Sequence, residues 1–422
     1  QQQKQGARRT LHYPSSTSRI QGAPSTKEKQ FELIMGIEID ISTRQSTCFP
    51  GDVIQGTVRL NVTAKDAGSP ASSLVIRLVG LAKTRAMFIA TGVVPTASGA
   101  APYTHRDTLS EDVEFLGYDV QLADFGGRAA SGEHTYDFSV TLPPSLPASM
   151  KEQGGNGSCA IAYGFRARLH RPGLLNFDAK GKVQLKVLGK SQETSASSPV
   201  VAGPEVMAVK KCYCLQSGSM SLGFQADRSV VGLNESVGVT VVARNDSSVA
   251  VKNLRVELVQ ETSWTANGAG DVSTRVVKSV VVPGAELGAA EFGGQLGRSA
   301  AAVADTARAD LERQLASGAG TRYELTVPAD TSITLNSETI QVRHVLTVRI
   351  QGPRCVECPD VWTPLHVQPG TSGVMPTVHE ETSSLAPSST ARPVTVTVPP
   401  SAVKLAYNHE KPRTSGAVGK YF

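Results

Sequence analysis

Residues 159–169, with the sequence CAIAYGFRARL, decide the fold class. Apolar side chains stand mostly at every second position, and the cations Arg166 and Arg168 stand between them. Successive side chains of a β-strand point to opposite faces, so this alternation predicts a strand with one buried and one solvated face. The same period recurs in the first half of the chain at residues 133–142 and 183–187, and further predicted strands lie at residues 31–41, 52–62, 73–82 and 113–122.

The second half of the chain alternates in the same way, at residues 220–224, 237–241, 254–258 and 342–350. Strands at this spacing, bounded by turn residues, indicate antiparallel sandwiches rather than a parallel sheet with crossover helices. One segment breaks the pattern. In residues 299–318, Val303, Ala307, Leu311 and Leu315 recur at four-residue steps and Gly318 closes the run, which predicts an amphipathic helix inserted between two strands.

Composition excludes several classes of protein. The 422 residues include 39 Gly and 24 Pro but only 19% charged residues, which does not suit a helical bundle. No apolar run approaches the ~18 residues that a transmembrane helix needs, so we expect no membrane span. The net charge of +5 gives no reason to expect a nucleic-acid partner, and six Cys are too few for a disulfide scaffold.

Polar segments divide the chain into two blocks. Residues 190–205 have the composition of a linker, and both ends are rich in Ser, Thr and Pro. We expect a disordered tail at 1–30, a β-sandwich at 31–189, a linker at 190–209, a second β-sandwich at 210–369 and a mostly disordered tail at 370–422. Val394, Val396 and Val398 alternate with Thr, which leaves room for one short strand in that last tail.

Several motifs, in their order along the chain, resemble those of the arrestin family, and in particular the arrestin-domain-containing proteins known as alpha-arrestins. They lie at residues 49–56 (FPGDVIQG), 73–81 (SLVIRLVGL), 132–138 (GEHTYDF), 142–149 (LPPSLPAS), 157–169 (GSCAIAYGFRARL), 233–248, 256–260, 340–350 and 363–367 (TPLHV). The resemblance covers roughly residues 31–369. It implies an all-β chain of two tandem immunoglobulin-like antiparallel β-sandwiches, the arrestin fold. The helix that the periodicity predicts at residues 299–318 would be inserted in the second sandwich.

The resemblance also implies a function. It suggests a non-enzymatic adaptor that binds cytoplasmic parts of membrane receptors or transporters and links them to endocytic and ubiquitin-dependent trafficking. Such a protein would be cytoplasmic and associate peripherally with the plasma membrane or endosomes. Two alternatives stay open: a structural subunit of a retromer-type sorting complex, and an extracellular binding module of two sandwiches.

The resemblance suggests a ubiquitin ligase as a partner, but the chain lacks the motif that would bind one. Many alpha-arrestins carry Pro-Pro-x-Tyr motifs for WW domains. Here Pro143-Pro144 and Pro399-Pro400 both lack Tyr at the fourth position, and no Pro-Pro-x-Tyr motif occurs in the chain.

Four cysteines form two close pairs, Cys212-x-Cys214 and Cys355-x-x-Cys358. Two thiol pairs can hold a tetrahedral Zn²⁺, and the second pair lies in a turn flanked by Gly and Pro. A structural zinc that ties the two ends of the second domain together is one hypothesis, and free or buried thiols or a disulfide are the others. No cofactor is otherwise indicated.

No motif of an active site stands out, so we expect no catalytic residue and no enzyme. The basic residues Lys27, Lys29, Arg166, Arg168 and Arg171 are candidates for binding phosphate or a partner, because Lys and Arg form charge-assisted hydrogen bonds with phosphate. A solvated basic surface without a partner is the alternative.

Overall fold

The computed structural model describes residues 36–65, 68–96, 99–173, 178–190, 197–211, 215–287, 300–370 and 393–404. Strands in the first half are β1 (Ile37–Thr43), β2 (Thr47–Cys48), β3 (Val53–Val62), β4 (Pro70–Thr96), β5 (Gly99–Arg128), β6 (Gly132–Thr141), β7 (Met150–Gln153), β8 (Gly157–His170) and β9 (Ala179–Val187). Later elements are β10 (Val200–Lys211), β11 (Leu215–Ala226), β12 (Val230–Gly232), β13 (Ser236–Ser247), β14 (Asn253–Ala266), β15 (Ala269–Pro283), α1 (Ala300–Ser317), β16 (Thr321–Thr326), β17 (Leu335–Asn336), β18 (Ile340–Gln351), β19 (Asp360–Gln368) and β20 (Val394–Thr397). Short 3-10 turns lie at Gly284–Glu286 and Pro400–Ala402.

The first sandwich consists of two sheets. One has the order β1-β3-β6-β20, and the other has the order β2-β9-β8-β4-β5 with β7 paired to β8. The apolar positions of the alternating strands meet between them: the rings of Phe138 on β6 and Phe165 on β8 lie 5.1 Å apart in an edge-to-face arrangement. The face predicted to be buried on β8 is buried, and Arg166 and Arg168 are exposed, so the predicted alternation is confirmed.

Gly56 on β3 shows how closely this core is packed. A Cβ atom at this position would lie 2.5 Å from both the Phe138 ring and the backbone oxygen of Ser42. Only glycine lets the strand approach the aromatic core this closely.

The second sandwich pairs a sheet of order β10-β11-β13-β16 with a sheet of order β12-β19-β18-β14-β15, and β17 joins β18. Its core holds the fully buried Phe224, Val239, Val256 and Val348. The all-β fold of two sandwiches with one inserted helix, as expected from the sequence, is thus confirmed.

The inserted helix α1 lies where the four-residue spacing predicted it. Leu311 and Leu315 are buried and form a small cluster with Val242 of β13. The predicted closing residue Gly318 has φ of +69°, a left-handed conformation that favours glycine at the end of a helix. The contacts of α1 with β10, β11 and β13 show that the helix packs on a sheet of the second sandwich.

The segment predicted to be a linker at 190–209 differs from the structure. Residues 200–209 belong to β10, which pairs antiparallel with β11. Because Ala, Gly and Pro are common in linkers, the composition of this segment did not predict a strand. In the structure, Ala202 and Val209 are buried in the core of the second sandwich. The short strand expected near Val394 is present as β20, which runs parallel to β6. The exact limits of the two domains stay a prediction, and the tail at 1–30 lies outside the described residues.

The tip of the β14–β15 hairpin contacts the first sandwich. The indole Nε1 of Trp264 donates a 2.7 Å hydrogen bond to the backbone oxygen of Arg85 on β4. Asn267, in the turn of the hairpin, bonds through its Nδ2 to the oxygen of Ser110 and through its backbone N–H to Glu111. Buried side chains and hydrogen bonds thus join the two halves of the chain.

Candidate partner-binding surfaces

Five cations lie together on the outer side of strands β8 and β9. The pairing of these strands sets Arg166 opposite Lys182 and Arg168 opposite Lys180, and Lys186 lies four residues beyond Lys182. All five side chains are exposed. Adjacent strands lie ~4.8 Å apart, and side chains on one face of a strand repeat every ~6.6 Å. We call Arg166, Arg168, Lys180, Lys182 and Lys186 the basic face.

Acidic residues neutralise only part of this surface. Asp178 lies 3.2 Å from the Nε of Arg168 and 3.5 Å from the Nδ1 of His170. Within the part of the chain that the structure describes, the other four cations of the basic face form no ion pair. A flat surface with this excess of positive charge attracts anionic groups such as phosphates.

The candidates taken from the sequence are distributed unevenly. Arg166 and Arg168 belong to the basic face, whereas Arg171 is half-buried beyond the end of β8, with its backbone N–H bound to Asp178. Lys27 and Lys29 lie outside the described residues. The sequence candidates omitted Lys180, Lys182 and Lys186, although their spacing on an alternating strand was a signal that could have found them.

A second surface is the edge of β6. The segment Val394–Thr397 adds to this edge as a parallel strand, in register from Val394 opposite Phe138 to Thr397 opposite Thr141. Val398 is buried, and the backbone N–H of Lys404 bonds to the oxygen of Phe115. The edge of this sheet therefore accepts an extended segment through backbone hydrogen bonds.

The predicted zinc ligands are described only in part. Cys355 is exposed with φ of +67°, Cys358 is half-buried, and burial raises the pKa of its thiol. Cys212 and Cys214 lie outside the described residues. A cavity of about 240 Å³ is lined by Met207, Ala208 and Lys210 of β10 and by Glu357, so the strand leading towards Cys212 passes beside the Cys355–Cys358 turn. The described residues alone contain no cluster of three or more metal-binding side chains, and the zinc site stays a prediction.

Cys48, Cys159 and His344 occupy core positions. Burial raises the pKa of Cys48 to about 11 and that of Cys159 to about 12, which makes both thiols poor nucleophiles. His344 on β18 is 1% exposed, and its Nδ1 lies 3.1 Å from the hydroxyl of Thr334. The same hydroxyl oxygen accepts a hydrogen bond from the backbone N–H of Val367. Burial lowers the pKa of His344 to about 3, and the imidazole is neutral.

The chain matches two families of domains in the order that the fold requires. Residues 37–193 match the family described as Arrestin (or S-antigen), N-terminal domain, and residues 216–372 match Arrestin (or S-antigen), C-terminal domain. The chain belongs to the arrestin family, whose members are non-enzymatic adaptors of membrane proteins.

About a third of the chain is similar, at low sequence identity, to parts of other proteins. Phosrestin-1 of Drosophila melanogaster is 27% identical over 146 residues, which are 32% of this chain and 34% of the relative. Arrestin domain-containing protein 5 of Homo sapiens is 28% identical over 129 residues, 30% of this chain and 35% of the relative. Phosrestin-2 of Calliphora vicina is 26% identical over 157 residues, 34% of this chain and 40% of the relative. The chain thus spans well under half the length of these relatives.

Among the described residues, no helix is long and apolar enough to cross a membrane.

Proposed function

We propose that this arrestin-family protein is an adaptor of alpha-arrestin type, which binds cytoplasmic segments of membrane receptors or transporters and connects them to endocytic and ubiquitin-dependent trafficking. In this proposal it works in the cytoplasm and associates with the plasma membrane or endosomes. The similarity to arrestin domain-containing protein 5 supports the subclass, and the family supports a role in binding membrane proteins.

The observation that carries the proposal is the basic face. Arg166, Lys180, Lys182 and Lys186 form no ion pair with a described residue and lie on a rigid sheet. Cytoplasmic segments of membrane proteins become strongly anionic when their Ser and Thr residues are phosphorylated, and each phosphate carries about −1.5 to −2 charges at pH 7. Such a segment would lie across β8 and β9 and bind through charge-assisted hydrogen bonds.

The binding test uses one synthetic Ser/Thr-rich peptide in a triply phosphorylated and an unphosphorylated form. The full chain should bind the phosphorylated form more tightly, and Lys180→Ala combined with Lys182→Ala should weaken that binding about tenfold, since exposed charges contribute at most ~1 kcal/mol each. The control variant is Lys252→Ala with Lys278→Ala, which removes the same charge from exposed sites on the second sandwich. Equal binding of the two peptides, or an equal effect of the two variants, would reject the basic face as a phosphate reader.

The cellular role needs a separate test. Proximity labelling with the full chain should recover membrane receptors or transporters together with endocytic and ubiquitin-ligase components. A single stoichiometric partner on size-exclusion chromatography, with no membrane cargo among the labelled proteins, would instead identify a subunit of a stable sorting complex.

A further inference from the structure

Strands β4 and β5 continue far beyond the sheet to which they belong. The last residue of β4 that pairs with β8 is Ala86, opposite Gly157. From Met87 opposite Thr108 to Thr96 opposite Gly99, β4 and β5 pair only with each other. At ~3.3 Å per residue, this two-stranded ribbon extends about 30 Å past the sheet. We call its two strands, residues 87–96 and 99–108, the projecting ribbon.

The distal part of the ribbon carries no charge. From Ala86 through Thr104 the sequence contains no Asp, Glu, Lys, Arg or His. Ionisable residues resume at positions 105–107 (His, Arg and Asp), nearer the base of the ribbon. Isolated two-stranded ribbons are marginally stable in water, and natural proteins usually protect exposed strand edges with charged side chains. The distal part of the ribbon therefore lacks the charged side chains that usually protect exposed strand edges.

Apolar side chains are exposed on both faces of the ribbon. Pairing places Phe88 and Tyr103 on one face, with exposed fractions of 46% and 47%. Ile89 and Val93 lie on the other face, with exposed fractions of 51% and 65%. A Cβ atom at Gly92 would collide with the Tyr103 ring, so the ring lies flat across the neighbouring strand. A ribbon that is apolar on both faces can bury all of these side chains only in an environment that surrounds it.

We propose that the distal half of the projecting ribbon, residues 91–96 and 99–104, inserts into the interfacial layer of a lipid bilayer. This activity goes beyond the proposed function because it needs no cargo protein. The bilayer interface accommodates uncharged apolar segments, and Tyr is enriched there because its ring is apolar and its hydroxyl is polar.

The backbone limits how deep the ribbon enters. Both outer edges of the two strands have peptide groups without a partner strand among the described residues, and such open edges do not occur in the hydrocarbon region of membranes. The ionisable residues at positions 105–107 set the second limit, because they would stay at the level of the headgroups. The ribbon therefore lies among headgroups and the first methylene groups and does not span the bilayer.

The first experiment measures insertion directly with vesicles that contain no protein. The full chain carries Tyr103→Trp together with Trp362→Phe, which removes the exposed tryptophan and leaves only the buried Trp264 as background. Phosphatidylcholine vesicles should shift the emission of the indole introduced by Tyr103→Trp to shorter wavelength, and lipids brominated near the headgroup should quench it more than lipids brominated near the chain end. No shift at saturating lipid would overturn the proposal, and stronger quenching by the deep bromines would overturn the interfacial depth.

The second experiment separates the ribbon from the basic face. Binding of the unlabelled full chain to phosphatidylcholine vesicles should persist in about 0.5 M NaCl, because apolar insertion is not screened by salt, whereas phosphate binding by the basic face should be lost. Failure of vesicle binding would leave the phosphopeptide result untouched, so the two proposals fail independently.

Matched variants test which apolar residues matter. Val93→Asp with Tyr103→Asp, both within the inserted segment, should weaken vesicle partitioning at least tenfold, which corresponds to about 1.4 kcal/mol. Val272→Asp with Val276→Asp changes two valines of β15 that are each 52% exposed, and this control should leave partitioning unchanged. Melting temperatures verify that both variants fold. Equal losses in the two variants would overturn the assignment, as would an emission shift that occurs only when the vesicles contain a membrane-protein cargo.

Discussion

Replacing Trp264 by Phe tests how firmly the two halves of the chain are joined. The side chain is 2% exposed, and its Nε1 donates the 2.7 Å bond to the oxygen of Arg85. Phe keeps most of the apolar ring but removes the donor. The substitution removes this hydrogen bond and leaves the backbone carbonyl of Arg85 with one partner fewer. The free energy of unfolding should therefore fall by about 2 kcal/mol. Trp264→Ala, which also leaves a cavity, should lower it by about 3–5 kcal/mol.

A double-mutant cycle with Gly154 tests how closely the indole ring packs against the first sandwich. A Cβ at Gly154 would lie 2.7 Å from the indole ring, so Gly154→Ala should cost about 1–3 kcal/mol in the presence of Trp264. Phe lacks the outer atoms of the indole, and the two substitutions should therefore combine to less than the sum of their separate effects. Strict additivity would refute this account of the junction.

The assay is urea unfolding followed by far-ultraviolet circular dichroism, which does not depend on the tryptophan being removed. Trp362→Phe is the matched control, because that side chain is 49% exposed and its loss should change stability by less than ~0.5 kcal/mol. If Trp264→Phe and Trp362→Phe have the same effect, the indole hydrogen bond does not stabilise the junction.

Three further predictions concern other parts of the molecule. The pKa of His344 falls from 6.5 to about 3 in the folded state, so the unfolded chain binds more protons below pH 6.5. The free energy of unfolding should therefore fall by up to ~4 kcal/mol between pH 6.5 and pH 3. His344→Asn should flatten that pH dependence in urea titrations. Native protein should contain about one equivalent of zinc, and Cys355→Ser with Cys358→Ser should remove it; metal well below one equivalent with all thiols titratable would reject the site. Leu315→Ala should destabilise the packing of α1 by about 2–3 kcal/mol and increase proteolysis within α1, whereas Gln314→Ala, on the exposed side, should not.

The sequence predicted the sandwiches because period-two alternation depends on only a few neighbouring residues. Residues 159–169 and 133–142 alternate cleanly, and their apolar sides meet in the core, with Phe138 against Phe165. Strand β10 was missed because its Ala, Gly and Pro residues are typical of linkers, while its burial comes from pairing with β11. Alternation in the sequence predicts a strand whose one face is apolar. It does not predict a strand such as β10, which is buried because of its contacts with neighbouring strands.

The ribbon was missed for a related reason. Strands were predicted at 73–82 and 113–122, yet β4 and β5 extend from Pro70 to Thr96 and from Gly99 to Arg128. In the projecting part, apolar residues face both sides, so no alternation marks it. Pairing with the facing strand holds this segment extended, and that information is not present in either strand alone.

The basic face, too, could be predicted only in part from the sequence. Arg166 and Arg168 could be selected from β8, but their significance depends on which strand lies beside them. The register of β9 places Lys182 next to Arg166 and Lys180 next to Arg168, whereas a shift of one residue would turn the lysines towards the core and bring Val183 and Leu185 to the surface. The apolar alternation that buries Leu185 and Val187 is therefore also what fixes the cations on the outer side. A substitution that places a charge at Leu185 would be expected to disturb the core and the basic face together, because a single register determines both.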